Sequence, residues 1–195
     1  MDSEYVIIVS GLPRSGTSMM MKMLKSVGIP VLEDGIRKPD ENNPNGYFEY
    51  ELVKKLKQDD KWLDDAKGFA VKIVATLLQY LPKRIHYKII LMERDINEII
   101  SSQRKMLSRM KNEENAQDDS TMSKIYTQHL EKVKLYANKN KNMDVLYISY
   151  NEMLINPYKE GKKISTFLGS CLNVSEMISA VDKDLYREKR NKNVI

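Results

Sequence analysis

YVIIVSGLPRSGTSMMMKMLK, residues 5–25, is the stretch from which the rest of the chain is read. Its β-branched run, Val6 to Val9, predicts a buried strand, and the helix-forming segment from Thr17 predicts a helix. Between them Gly11 and Gly16 bound a turn. Glycine tolerates the backbone angles that let such a loop curl with its N–H groups inward, and the new helix points its positive end at the same spot. Arg14 adds a full charge there, and Ser15, Thr17 and Ser18 add hydroxyl donors. A phosphate or sulfate fits such a loop. A basic glycine turn without a ligand would carry the same residues, but strand, turn and helix signals agree on the anion site.

The spacing of the two glycines matches the nucleotide-binding P-loop, which continues with Lys and then Ser or Thr; here Thr17 and Ser18 follow Gly16. The missing lysine would reach the β- and γ-phosphates, so its absence weighs against an ATPase, GTPase or ordinary kinase. The cation stands inside the loop instead, at Arg14. PRSGTS after an apolar strand resembles the 5′-phosphosulfate-binding loop of sulfotransferases that use 3′-phosphoadenosine 5′-phosphosulfate (PAPS). The likeness is to the branch with Pro-Arg-Ser-Gly-Thr, which includes tyrosylprotein sulfotransferases and many bacterial sulfotransferase-like proteins; cytosolic enzymes usually carry Lys where Arg14 stands. The resemblance implies PAPS as donor, 3′,5′-adenosine diphosphate as product and no metal.

With 195 residues, 42% hydrophobic and 30% charged, the chain reads as one globular domain, residues 1–195. No apolar run approaches the roughly 20 residues of a membrane span. The strand begins almost at the N-terminus and Cys171 is the single cysteine, so the expectation is a cytoplasmic protein without a leader or a disulfide framework. Cys171 reads as a small buried residue. The net charge of +5 is spread over lysines mixed with Asp and Glu, a pattern that argues for a solvated surface and against a nucleic-acid stripe. His86, His129 and one cysteine make no zinc constellation.

Further along, Phe69–Val74, Tyr87–Met92 and Asp144–Ser149 read as strands. Helices are expected from Thr17 to Val27, Glu51 to Leu63 with Trp62 as a packing anchor, around Leu77, Leu78 and Leu81, Ile96 to Met110, Thr121 to Asn138, Pro157 to Leu168 and Ser175 to Val181. Residues 31–50 are too rich in Asp, Asn, Gly and Pro for one regular element, and residues 111–120 read as a mobile connection. Alternating strands and helices predict a three-layer α/β fold, a central and mostly parallel sheet flanked by helices, with ligands beyond the carboxyl ends of the strands.

A second stretch, RDINEIISS, extends the resemblance. In the sulfotransferases an Arg at a strand end and a Ser eight residues later bind the 3′-phosphate of PAPS; Arg94 and Ser102 have that layout. Taken alone, Arg94 would serve as well as a surface partner of Asp95 or Glu98. Tyr150, followed by Asn151 and Glu152, holds the position of a tyrosine that packs near the adenine in the family, or else it is a packing residue. Lys72 in AVKIV stands where cytosolic members carry a Lys shortly before a catalytic His; Val74 occupies that His position. The imidazole base is therefore not transferred to this chain. Nor is the family's C-terminal Gly-rich, Lys-containing motif present, although Arg187, Lys189 and Arg190 could supply its charges.

Sulfuryl transfer needs positioning and charge stabilisation, as phosphoryl transfer does. The catalytic expectation is Arg14 with Lys72 assisting, and Asp34 as the base, since tyrosylprotein sulfotransferases carry a glutamate base followed by an Arg in the loop after the first helix. LEDGIRK offers Glu33, Asp34 and Arg37 there, and Glu49 is a further carboxylate. The bland alternative has these acids only solvating a loop. Three functions stay open: a sulfotransferase acting on a hydroxyl or amine of a small molecule or peptide, a P-loop kinase of small molecules, and a non-catalytic nucleotide-binding protein. Residues 31–50 and 111–120 are expected to border the acceptor, and a second copy of the chain, in a homodimer, is one source for the rest of a lid.

Overall fold

Consecutive residues of the central strands, nearly all buried, join alternately one of two half-cores, one on each face of a sheet. The computed structural model describes residues 4–109, 118–169 and 171–182. Strands β1 (Tyr5–Gly11), β2 (Val31–Leu32), β3 (Ala70–Lys72), β4 (His86–Glu93) and β5 (Met143–Ser149) lie in the order β2-β3-β1-β4-β5, with every neighbouring pair parallel. Ile7 and Val9 of β1 and Ile90 and Met92 of β4 join one half-core, while Val6 and Ile8, Ile89 and Leu91 join the other. That is the period of two that a strand imposes when both faces are covered.

On the first face lie α1 (Thr17–Ser26), α4 (Tyr150–Ile155), α5 (Pro157–Leu168) and α6 (Val174–Ser179). Met20, Met21, Met23 and Leu24 of α1 are fully buried there, each contributing roughly 1.5 to 3 kcal/mol. Pro157 opens α5, and Gly169, in the left-handed region, closes it with its N–H donating to the carbonyls of Ser165 and Thr166. The second face is covered by α3 (Asp119–Lys139) and three 3₁₀ segments, with α2 (Ile96–Arg109) packed on α3. The three-layer α/β expectation holds, with the sheet parallel throughout. After β3 the chain crosses β1 to reach β4, so the loops leaving β1 and β4 diverge to opposite faces and open a crevice at the carboxyl edge.

The helices expected at Glu51–Leu63 and around Leu77 are 3₁₀ segments: Glu51–Lys55, Lys61–Ala66 and Ala75–Tyr80. Their buried residues explain this. Val53 and Leu56, Leu63 and Ala66, and Ala75, Leu78 and Leu81 are spaced by three, which is the repeat at which 3₁₀ side chains eclipse. Trp62 does anchor this region, edge-on to Tyr50 with ring centroids 5.3 Å apart. The polar stretch after α1 contains β2, and Tyr150 is the first residue of α4, which follows β5 without a loop. Cys171 is exposed and not buried, because it lies in the connection between α5 and α6. Residues 111–117 of the expected mobile connection lie outside the described residues, as does the basic tail with Arg187, Lys189 and Arg190. Asp119 and Ser120 already belong to α3. No helix among the described residues is long and apolar enough to cross a membrane.

Candidate active site

The crevice at the carboxyl edge holds a cavity of about 640 Å³, within the range of small-molecule and cofactor sites. Its wall combines the loop after β1, the ends of β3 and β4, α2, Tyr150 and much of residues 34–54. Eight lysines and arginines line it against four carboxylates, so the field inside favours anions.

The two glycines of the loop answer different needs. A Cβ on Gly11 would sit 2.3 Å from the Ser15 hydroxyl and 2.8 Å from the Met92 carbonyl of β4, so glycine there lets loop and strand approach. Gly16 has φ 99° and caps α1; a Cβ on it would strike the Tyr150 ring at 2.4 Å. Arg14 between them is also left-handed, at φ 73°, a conformation that is strained for a residue with a side chain. Its carbonyl thereby accepts from Nη1 of Arg94 at 3.0 Å. Its own Nε donates to Oγ of Ser102 at 3.0 Å, and both terminal nitrogens donate to the Asn42 carbonyl at 3.3 Å. Burial lowers the pKa of Arg14 from the usual guanidinium value, with Tyr47 opposing.

Arg14, Arg94 and Ser102, some 80 residues apart in the chain, thus meet in one hydrogen-bonded cluster. Arg94 pairs with Glu98, as the simplest reading of its neighbours suggested, but the pair is buried and not superficial: the side chains are 7% and 4% exposed. Its guanidinium lies 4.6 Å from the centre of the Tyr150 ring, an arrangement that favours both groups. Burial raises the Tyr150 pKa. Thr17 and Ser18 line the cavity, although the Ser18 hydroxyl is engaged with residues 43 and 47, accepting from Asn43 at 3.1 Å and donating to the Tyr47 carbonyl at 3.4 Å. Ser15 does not line it. Its hydroxyl is fully buried behind Gly11 and finds no hydrogen-bond partner among the described residues, so its side chain is turned away from any ligand in the crevice.

On the β3 flank, Lys72 donates to the Tyr47 carbonyl and stands 3.8 Å from Glu49. Burial pulls its pKa down to about 8, with Glu49 opposing and Arg37 adding to the fall. Glu49 also pairs with Arg37 at 2.9 Å, and Arg37 stacks 3.4 Å from the centre of the Tyr47 ring. Asp34 lines the cavity too, but its carboxylate is occupied by backbone N–H groups, that of Ile36 at 2.9 Å and that of Glu51 at 2.6 Å. These bonds hold its pKa below the usual carboxylate value. Glu33 is ion-paired with Lys25 outside this cavity. Val74, 41% exposed, lines the cavity where a catalytic imidazole was not expected, and neither histidine reaches it: His86 opens β4 at the opposite edge and bonds Asp144. Among the described residues no group of His, Cys, Asp and Glu could hold a metal ion.

Some site residues were not singled out in the sequence. Lys105, Met106 and Arg109 line the cavity from the α2 face that carries Ser102, and their spacing of three, four and seven from it was the available signal. Asn42, Asn43 and Tyr47 belong to the irregular stretch, whose course no periodicity encodes. The buried Glu98 and the partly buried Asn151 form a network behind Arg94.

Comparison with known proteins meets this geometry. Residues 5–194 match the sulfotransferase domain family. The chain belongs to that family. A sequence comparison with curated proteins finds no match. Among solved structures, a mouse sulfotransferase complexed with PAP is 21% identical over 91% of this chain and 63% of its own, with a TM-score of 0.59. Retinol dehydratase in complex with androsterone and inactive cofactor PAP is 15% identical, over 89% of this chain and 62% of its own, at 0.54. The sulfotransferase domain of the Synechococcus PCC 7002 olefin synthase is 11% identical over 98% of this chain and 82% of its own, at 0.55. This sulfotransferase-family chain therefore spans a little over three fifths of the mouse enzyme, and at these identities the likeness establishes the fold.

Proposed function

We propose that the chain transfers a sulfuryl group from PAPS to a hydroxyl or amine acceptor. The observation that carries the reading is the meeting of Arg14, Arg94 and Ser102 through the 3.0 Å bonds from Arg14 to Ser102 and from Arg94 to the Arg14 carbonyl. Two basic elements, one after β1 and one after β4, are thereby joined in one cluster on the wall of the same cavity, which suits one ligand with more than one anionic group. PAPS is such a ligand, and two of the solved relatives carry PAP, its desulfated product.

In this assignment Arg14, the backbone of Ser15 and Gly16, and Thr17 and Ser18 hold the 5′-phosphosulfate, Arg94 and Ser102 hold the 3′-phosphate, and Tyr150 lies against the adenosine. PAPS supplies the sulfuryl group, and the leaving phosphate gains charge as its bond to sulfur breaks. Arg14 and Lys72 neutralise that charge. The acceptor proton goes to a carboxylate on the β3 flank. Of the candidates, Asp34 is the poorer base because N–H groups occupy both of its carboxylate oxygens, whereas Arg37 and Lys72 both meet Glu49 at Oε1, leaving Oε2 to take a proton; we assign the base to Glu49. The apolar residues Val53, Val74 and Leu77 on the same flank leave room for the acceptor's body. Residues 31–50 supply much of that wall, and no metal is required.

The test is transfer of labelled sulfate from PAPS to a panel of phenols, alcohols, sugars, amines and tyrosine peptides. Arg14→Ala is expected to be about 100- to 1,000-fold slower, the effect of removing one preorganised donor to a developing charge. Equal rates for variant and parent remove Arg14 from the mechanism.

A further inference from the structure

Glu98 is a carboxylate buried beside an anion site, where its charge opposes the ligand. It stands at the start of α2, is 5% exposed, and accepts from Arg94 Nε at 3.0 Å. Nδ2 of Asn151, from α4, donates to both of its oxygens at 3.3 Å. A buried ion pair is not a source of net stability in general, because desolvating both charges offsets their attraction. What the pair does provide is direction. Arg94 is held at Nε by Glu98, at Nη1 by the Arg14 carbonyl 3.0 Å away, and at its face by the Tyr150 ring 4.6 Å from the guanidinium carbon. These three contacts come from α2, the β1 loop and α4, and together they fix the plane of the guanidinium before a ligand arrives.

We infer that Glu98, held by Asn151, is a positioning residue that sets the plane of Arg94 and so makes the site select a nucleotide bearing a 3′-phosphate. The inference rests on the assignment of Arg94 to the 3′-phosphate made above. Fixing the plane matters because a guanidinium grips an oxyanion with two parallel bonds, which a freely rotating side chain must first be ordered to form. Ordering one long side chain only on binding weakens affinity by about three- to tenfold. Loss of the Glu98 charge acts the other way, since it makes the cavity more positive and strengthens every anion. The two effects separate when ligands with and without the 3′-phosphate are compared.

The experiment is calorimetric titration of the parent, Glu98→Gln and Asn151→Ala with 3′,5′-adenosine diphosphate and with 5′-adenosine monophosphate. The parent is expected to prefer the bisphosphate strongly. In Glu98→Gln, which turns one acceptor into a donor facing Asn151, the preference falls about three- to tenfold while the monophosphate binds no more weakly. Asn151→Ala shifts it in the same direction by less, and decides the matter if Glu98→Gln fails to fold. If both ligands weaken equally in the variants, Glu98 is only structural. If the preference rises, it is only a counter-charge. Either result, or no change, overturns the inference and leaves the donor assignment standing. A parent that does not distinguish the two nucleotides overturns both.

Discussion

Raising the pH from 8 to 10.5 should stabilise the protein relative to its Lys72→Met variant. The Lys72 side chain is 12% exposed, and burial pulls its pKa from 10.5 to about 8. In the unfolded chain the amine recovers its ordinary value. Below pH 8 both states hold the proton, and the folded state bears the full cost of a buried ammonium. Between 8 and 10.5 the folded chain has released its proton while the unfolded chain retains it. Since stability rises with pH wherever the unfolded state binds more protons, this window favours the fold. The separation of the two values corresponds to roughly 3 kcal/mol at 1.36 kcal/mol per unit. For a chain of this size that is about 6 to 12 °C in Tm. The assay is urea or thermal unfolding of both proteins in half-unit steps from pH 7 to 11, taking the difference at each step. Groups common to both proteins cancel where they lie far from residue 72. A difference that stays flat across the window, or falls, refutes the buried-ammonium account.

Gly16→Ala should cost about 3 kcal/mol by unfolding, from the left-handed φ and the Tyr150 clash together; in a Tyr150→Ala background the cost should drop to about 1 to 2 kcal/mol, and equal costs in both backgrounds would exclude the clash. Ser102→Ala removes the acceptor of the Arg14 bond and should weaken 3′,5′-adenosine diphosphate about tenfold, measured by calorimetry; unchanged affinity would take Ser102 out of the site. Asp34→Asn should alter acceptor KM without moving the pH–rate profile, whereas Glu49→Gln should abolish the acidic limb; the reverse pattern would return the base to Asp34.

Legibility in the sequence followed the physics of each element. β1 and β4 are buried on both faces and so appear as apolar runs, the half-buried β5 still shows the apolar stretch Val145 to Ile148, and α5 announces itself through Pro157 and Gly169. The two-residue β2 is too short for a pattern, and the 3₁₀ segments resemble helices until their spacing of three is noticed. α4 had a usable signal: Ser149 and Glu152 have capping-box spacing, and the Ser149 hydroxyl accepts from the Glu152 N–H at 3.2 Å. In the site, Arg14 is legible from its place in the glycine turn, whereas Arg94 and Ser102 are singled out through the family resemblance, since their spacing by itself fits a surface ion pair as well; the structure brings the three together. Asn151 was named only as a neighbour of Tyr150, and its bond to Glu98 links chain positions 53 residues apart that no local pattern relates. Asp34 and Glu49 could not be ranked from sequence, since the N–H groups that occupy Asp34 come from the folded course of the loop.

The central claim is that the crevice binds PAPS through the loop after β1 and the arginine after β4. Its most direct test is titration of the parent protein with 3′,5′-adenosine diphosphate in the presence of a chelator, set beside ATP with Mg²⁺. The account predicts tight, metal-independent binding of the bisphosphate and weak binding of ATP. Preferential, Mg²⁺-dependent binding of ATP, or no binding of the bisphosphate, would contradict it.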